Sequence, residues 1–188
     1  MRRYKTPLSQ SDSDEIAAAL LGGATALIPT DTVYGIAAHP ANAAGVAKLY
    51  ALKHRDPAKP LPLLAASAEA VAECGLRLEG AALAAARKFW PGPLTLIIGG
   101  EGVRVPDSAT ARGICAAAGG LLRCTSANES GETPALDAES AAAALPGADI
   151  LVDGGAAKIG VASTVARFGK NGWEILRDGA IKIDELNP

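Results

Sequence analysis

Short apolar runs alternate along this chain with alanine-rich segments that open on a capping residue. That alternation constrains the fold more than any other feature. ATALIP, LPLLAA, Leu94–Ile98, LLRCTS and Ile150–Asp153 are apolar stretches bounded by Gly, Pro or hydroxyl residues, the pattern of strands buried on both faces. SDSDEIAAALLGG predicts a helix capped by Ser11 or Ser13 and stopped by Gly22-Gly23. Asn42 opens a second helix to about Leu52, and Ser67 a third to about Cys74. Ala81–Trp90 is a fourth, halted by Pro91-Gly92-Pro93; Ser108 opens a fifth to about Ala118, and Asp137 a sixth to Leu145. GVRVP reads as a short strand, TDTVYGIAAHP as a loop, and STVARF and WEILR flank the hairpin signal Asn171-Gly172. Crossovers together with a hairpin predict an α/β fold with a twisted mixed sheet flanked by helices. Residues 1–12 are expected as a loose arm and residues 13–188 as one domain.

Size and composition support a single self-sufficient core. At 188 residues the chain needs no disulfide or metal to fold. Aromatic residues make up only 4%, so the core must be built from Ala, Val, Leu and Ile, with elements packed closely. The same scarcity leaves few rings for stacking on bases. A net charge of −2 excludes the chain as a whole as an electrostatic nucleic-acid binder, while a local basic patch stays open. Cys74, Cys115 and Cys124 are an odd number at no metal-ligand spacing, which points to a reducing compartment. No apolar run approaches the roughly 20 residues of a membrane span, and the basic, polar, then acidic start lacks the apolar core of a signal peptide. The cytoplasm is the expected location.

Four loops concentrate small polar and cationic side chains next to strands, where α/β proteins build their sites. Pro29-Thr30-Asp31-Thr32-Val33-Tyr34-Gly35 offers two hydroxyls and a carboxylate, suited either to an amino or hydroxyl group of a small ligand or to satisfying an ordinary turn. Lys53-His54-Arg55-Asp56-Pro57-Ala58-Lys59-Pro60 sets three cations on a proline-stiffened path, suited to a polyphosphate or to plain solvation. It lacks the residue order of a P-loop, and His54 reads as a surface histidine. Leu122 to Gly131 ends a strand in hydroxyls and an amide; alternation puts Cys124 and Ser126 on one face. No nucleophile elbow surrounds Ser126, and Cys124 has no base partner, so it reads as a packing residue. Lys158 to Val165 is a glycine-containing loop that enters a strand with two hydroxyls.

In order, PTDTVYG, LYALKHRDPAKPL, WPGPLTL, GVRVPD, CTSANESGETP, AST and LRDG resemble the YrdC-like family of threonylcarbamoyl-adenylate synthases, from about Ala24 to Gly179. The resemblance implies a YrdC-like α/β fold with a deep, positively lined cleft, in a short form without a further C-terminal domain. It implies an enzyme that joins L-threonine, bicarbonate or carbon dioxide, and ATP into threonylcarbamoyl-adenylate, with release of pyrophosphate. A partner transferase then moves the threonylcarbamoyl group onto an adenosine of certain tRNAs.

Position by position, the resemblance implies that Thr32, Arg104, Cys124 (through its backbone) and Ser163 bind threonine. It implies that Lys53, Arg55, Lys59, Ser126, Asn128, Pro134 and Arg177 bind the nucleotide. No residue is expected as a dedicated acid or base. A magnesium ion on the ATP phosphates is expected, held by nucleotide and water rather than by a protein cage. The departures are Asp56 where proline usually follows the arginine, Leu64 where some relatives have histidine, and Ala162 where proline is common. Two other readings stay open: a double-stranded RNA or tRNA-binding module on the same basic surface, and a carbamoyl-adenylate-forming domain that serves another enzyme.

Overall fold

The computed structural model describes residues 1–186; Asn187 and Pro188, the end of the expected domain range, lie outside the described residues. Its first strand, β1 (Arg2–Lys5), is followed by helix α1 (Gln10–Leu21) and strand β2 (Ala26–Ile28). Strand β3 (Gly35–Ala38), helix α2 (Ala43–Leu52) and strand β4 (Leu63–Ala65) come next. Helices α3 (Ala68–Glu73) and α4 (Gly80–Phe89) precede the hairpin of β5 (Leu94–Ile98) and β6 (Glu101–Arg104). The chain continues through α5 (Ala109–Ala117), β7 (Leu121–Ser126), α6 (Ala138–Ala144) and β8 (Ile150–Asp153). It closes with β9 (Thr164–Gly169), β10 (Gly172–Arg177) and the short α7 (Ile183–Leu186).

Among the described residues, all ten strands join one mixed sheet in the order β1-β8-β2-β3-β7-β4-β6-β5-β9-β10. The caps at Asn42, Ser67, Ser108 and Asp137 each accept a backbone N–H from the first turn, each worth about 1 kcal/mol. The first helix is different. Its cap is Ser9, not Ser11 or Ser13, because Ser9 and Asp12 form a reciprocal capping box. Ser13 instead turns inward, one buried face with Ile16, Ala17 and Leu20.

Two further expectations are corrected. Residues 1–12 are not a loose arm: β1 pairs in parallel with β8, Arg2 to Ile150 through Lys5 to Asp153. Its charged composition suits an edge strand, so it carries no apolar signal. The segment TDTVYGIAAHP is not wholly a loop, because Gly35–Ala38 is β3, antiparallel to both β2 and β7. Gly and Ala have weak strand propensity; burial between two neighbours imposes the strand here.

Buried alanines and aliphatics pack helices on the sheet in three clusters. Ile16 and Leu20 of α1 meet Ile114 of α5, Leu122 and Val152. Leu49 of α2 clusters with Leu27, Ile36 and Leu151, with Ala138 and Ala141 of α6, and with Leu145 just after it. Val71, Ala85 and Ala86 cover Leu94, Leu96 and Val103. Strands β3 and β10 stand six places apart in the sheet order, about 29 Å if it were flat at roughly 4.8 Å per strand. Yet Gly35 and Arg177 line one cavity. The sheet therefore curls around that cavity, as accumulated strand twist allows.

Candidate active site

The cavity has a volume of about 490 Å³, within the range of small-ligand sites. One wall is the turn between β2 and β3. Thr30 Oγ1 donates to Val33 O at 2.6 Å and meets Thr32 Oγ1 at 3.0 Å. Tyr34, fully buried, donates from its hydroxyl to Gly155 O at 2.8 Å and accepts from Gly154 N at 3.0 Å. This fixes the turn to the chain after β8. A Cβ at Gly154 would stand 2.7 Å from Pro29 Cγ, so only glycine permits that approach.

Arg104, at the end of β6, reaches this turn. It is 7% exposed. Its Nε donates to Gly92 O at 2.9 Å, NH1 donates to Thr32 Oγ1 at 2.7 Å, and NH2 donates to Asp31 Oδ1. Burial pulls the guanidinium below its ordinary value and Asp31 opposes the shift. Arginine keeps its proton regardless. Five donors less three contacts leave two N–H groups on NH1 and NH2 without an acceptor among the described residues. Asp31 Oδ2 is buried with no partner among the described residues.

The opposite wall carries a second arginine on a hydroxyl pair. Arg177 donates from Nε and NH2 to Ser163 O at 3.1 and 2.7 Å, and from NH2 to Ser163 Oγ at 3.0 Å. Ser163 Oγ lies 2.8 Å from Thr95 Oγ1. Gly179 explains the closeness: a Cβ there would stand 2.5 Å from Ala162 O and Ser163 C. The glycine of LRDG therefore lets the chain after β10 press on the Ser163 segment. Burial lowers the Arg177 pKa, and the charges of Arg104 and Arg55 push in the same direction, the mark of three cations gathered around one space. Arg55 lines the cavity too, its Nε and NH2 donating to Lys59 O at 3.2 Å and Pro60 O at 3.1 Å.

Of the residues expected at the site, Thr32, Arg55, Arg104, Cys124, Ser126, Ser163 and Arg177 line this cavity. Lys53, Lys59, Asn128 and Pro134 do not. Lys53 is 1% exposed, and its ammonium donates to Ser126 O at 2.6 Å, to Asn128 O and to Asn128 Oδ1 at 3.4 Å. Its three N–H donors are thus spent on the loop after β7. Asn128 Nδ2 donates to Glu129 O and Glu132 O at 2.6 and 2.7 Å, so Asn128 is also loop architecture. Lys59 is exposed, outside the cavity lining. Cys124 is buried, its backbone N–H donating to Pro62 O at 2.9 Å. Burial pushes its thiol up to about 12, so it is no nucleophile at neutral pH. His54 is exposed, 3.6 Å from Glu129, as a surface histidine should be.

Sequence reasoning passed over Thr95 and the pairing of Asp31 with Arg104. Thr95 had a signal: it is the one polar residue in the run Leu94–Ile98. The Asp31 pairing had none, since its partner lies 73 positions away.

Arginines and hydroxyls from distant segments converge on one cavity of a curled mixed α/β sheet. The family profile described as telomere recombination (Sua5/YciO/YrdC) matches residues 18–179. The chain belongs to the Sua5/YciO/YrdC family. It is 38% identical to a threonylcarbamoyl-AMP synthase of Chromohalobacter salexigens, over 77% of this chain and 88% of that one. It is 31% identical to a threonylcarbamoyl-AMP synthase of Bacillus subtilis, over 92% of this chain but 54% of that one, so it spans about half the length of this longer relative. Among solved structures, the Pyrococcus abyssi Sua5 protein complexed with L-threonine superposes with a TM-score of 0.87 at 27% identity, covering 98% of this chain and 59% of that one.

Proposed function

We propose that this protein is an L-threonylcarbamoyladenylate synthase that makes threonylcarbamoyl-AMP and pyrophosphate from L-threonine, bicarbonate or carbon dioxide, and ATP. The observation that carries the reading is the shared cavity. Arg55, Arg104 and Arg177 line one volume of about 490 Å³ together with the hydroxyls of Thr32 and Ser163. Relatives named for the reaction support it, as does the threonine complex of a structural relative.

The chemistry follows from the donors. The amine of threonine and carbon dioxide form a carbamate, with a proton lost to solvent. A carbamate oxygen then forms a bond to the α-phosphorus of ATP as the α–β bridging bond breaks and pyrophosphate leaves. Such a step needs orientation and charge neutralisation more than proton transfer. Arg104 offers its two free N–H groups to the threonine carboxylate, while Arg55 and Arg177 face the triphosphate. Ser126, at the end of β7, faces the nucleotide. Lys53 and Asn128 act one step back, holding the loop that presents Ser126.

Among the described residues, no group of three metal-ligating side chains exists. A magnesium ion carried on ATP would be held by phosphate oxygens and water, where it would neutralise phosphate charge. Among the described residues, no helix is long and apolar enough to cross a membrane. The cytoplasm, with its ATP and tRNA, is the proposed location, and a threonylcarbamoyl transferase acting on tRNA the proposed consumer of the product.

The test is pyrophosphate release from ATP. Release that requires both threonine and bicarbonate supports the reading. Release without either, or none at all, overturns it. Carbamoyl phosphate replacing both would favour the carbamoyl-adenylate reading, and salt-sensitive tRNA binding without turnover an RNA-binding module.

A further inference from the structure

The direction of one buried proton can be worked out at the cavity wall. Thr30 and Thr32 are 8% and 1% exposed. Thr30 Oγ1 lies 2.6 Å from Val33 O. A carbonyl oxygen only accepts, so the single Thr30 hydroxyl proton is committed there. Thr30 Oγ1 also faces the backbone N–H groups of Thr32 and Val33 at 3.3 and 3.4 Å. With its own proton on Val33 O, the shorter 3.0 Å contact with Thr32 Oγ1 holds a hydrogen bond only if Thr32 is the donor. Arg104 NH1 donates to Thr32 Oγ1 at 2.7 Å, and a guanidinium cannot accept. The Thr32 hydroxyl has thus spent its proton and one lone pair. What remains for the cavity it lines is one lone pair and no proton.

We propose that Thr30 is a positioning residue that makes Thr32 a pure hydrogen-bond acceptor, so that this wall selects an N–H or O–H group of the amino-acid substrate. The inference rests on the synthase reading above. The contrast with the other wall sharpens it. Ser163 and Thr95 lie 2.8 Å apart and either can donate, so that pair keeps a proton free to turn. Only the Thr30–Thr32 pair has its polarity fixed. A carboxylate or phosphate oxygen at Thr32 would meet lone pair against lone pair. An ammonium, carbamate N–H or hydroxyl would complete the chain of hydrogen bonds.

The experiment is steady-state kinetics of Thr30→Val, which keeps the side-chain shape and removes the oxygen that accepts from the Thr32 hydroxyl and, at 3.3 and 3.4 Å, from two backbone N–H groups of the turn. The Thr32 proton is then released toward the cavity. The expected result is a KM for threonine raised about tenfold at saturating ATP, the size of one lost hydrogen bond to a charged group, with the KM for ATP unchanged. Thr30→Ser restores the hydroxyl and should return the threonine KM to within about threefold of the parent. L-2-Aminobutyrate, which lacks the β-hydroxyl, identifies the donor. If the Thr30→Val penalty persists with it, Thr32 accepts from the amine; if the penalty vanishes, from the hydroxyl. An unchanged threonine KM in Thr30→Val overturns the proposal, and so does an equal rise in both KM values. Should Thr30→Val fail to fold, Thr30→Cys, with its weak sulfur acceptor, takes its place and must raise the threonine KM alone. A parent protein that turns over no threonine removes the synthase reading instead, so the two failures are distinct.

Discussion

Arg104 and Asp31 form a buried ion pair through one carboxylate oxygen: Oδ1 accepts from the guanidinium, and Oδ2 has no partner among the described residues. Both side chains are nearly inaccessible, 8% and 2% exposed. Removing one partner leaves the other as an uncompensated buried charge, which costs about 3–5 kcal/mol. Arg104→Met should therefore lose about that much stability in chemical denaturation and also lose threonine binding. Asp31→Asn combined with Arg104→Met should recover much of the stability but none of the binding. If the double variant is no more stable than the single one, the buried charge is not the cause of the loss.

Arg55 and Lys59 share a loop but not a destination. Arg55 lines the cavity and Lys59 is exposed outside it. Arg55→Ala should raise the KM for ATP about tenfold or more, as the loss of a charged phosphate contact does. Lys59→Ala should change it less than about threefold. Equal losses in the two variants would contradict this division of roles.

Gly35 is held to its size by a sulfur. A Cβ added there would stand 2.6 Å from Cys124 Sγ, closer than packing allows. Gly35→Ala should cost about 1–3 kcal/mol, as overpacking does. Cys124→Ala in the same background should return most of that loss, and a double-mutant cycle on unfolding free energies measures the coupling. Strictly additive effects would exclude the contact.

Lys53 gives a pH dependence with a definite sign. Burial, reinforced by the charge of Arg55, pulls its pKa down to about 8, while the unfolded chain holds the proton to about 10.5. Between those values the unfolded state binds more protons, so this group favours folding increasingly as pH rises. Below about 8 the full penalty of the buried charge is present. The difference in unfolding free energy between the parent and Lys53→Met should shift in favour of the parent by about 2 kcal/mol from pH ~7.5 to pH ~10, at about 1.4 kcal/mol per pKa unit. A flat difference would mean that the carbonyls of Ser126 and Asn128 hold the proton in place.

The chain alone determined the mixed α/β class, four of the helix caps and the loops from which the site is built. These are local matters: an apolar run, a capping side chain or a proline acts on its own neighbourhood. Only the tertiary structure decided which cations face the ligand. Arg55, Arg104 and Arg177 come from three distant segments and meet because the sheet curls and Gly179 lets the chain press close. Lys53, two residues from Arg55, stays out of the cavity lining because oxygens of Ser126 and Asn128 satisfy its donors inside the protein. The strand at residues 2–5 was equally hidden, since a charged edge strand is specified by the open side of β8 and by nothing in its own residues. Charge pattern indicates that cations are available; burial and hydrogen-bond satisfaction, which exist only after folding, choose among them.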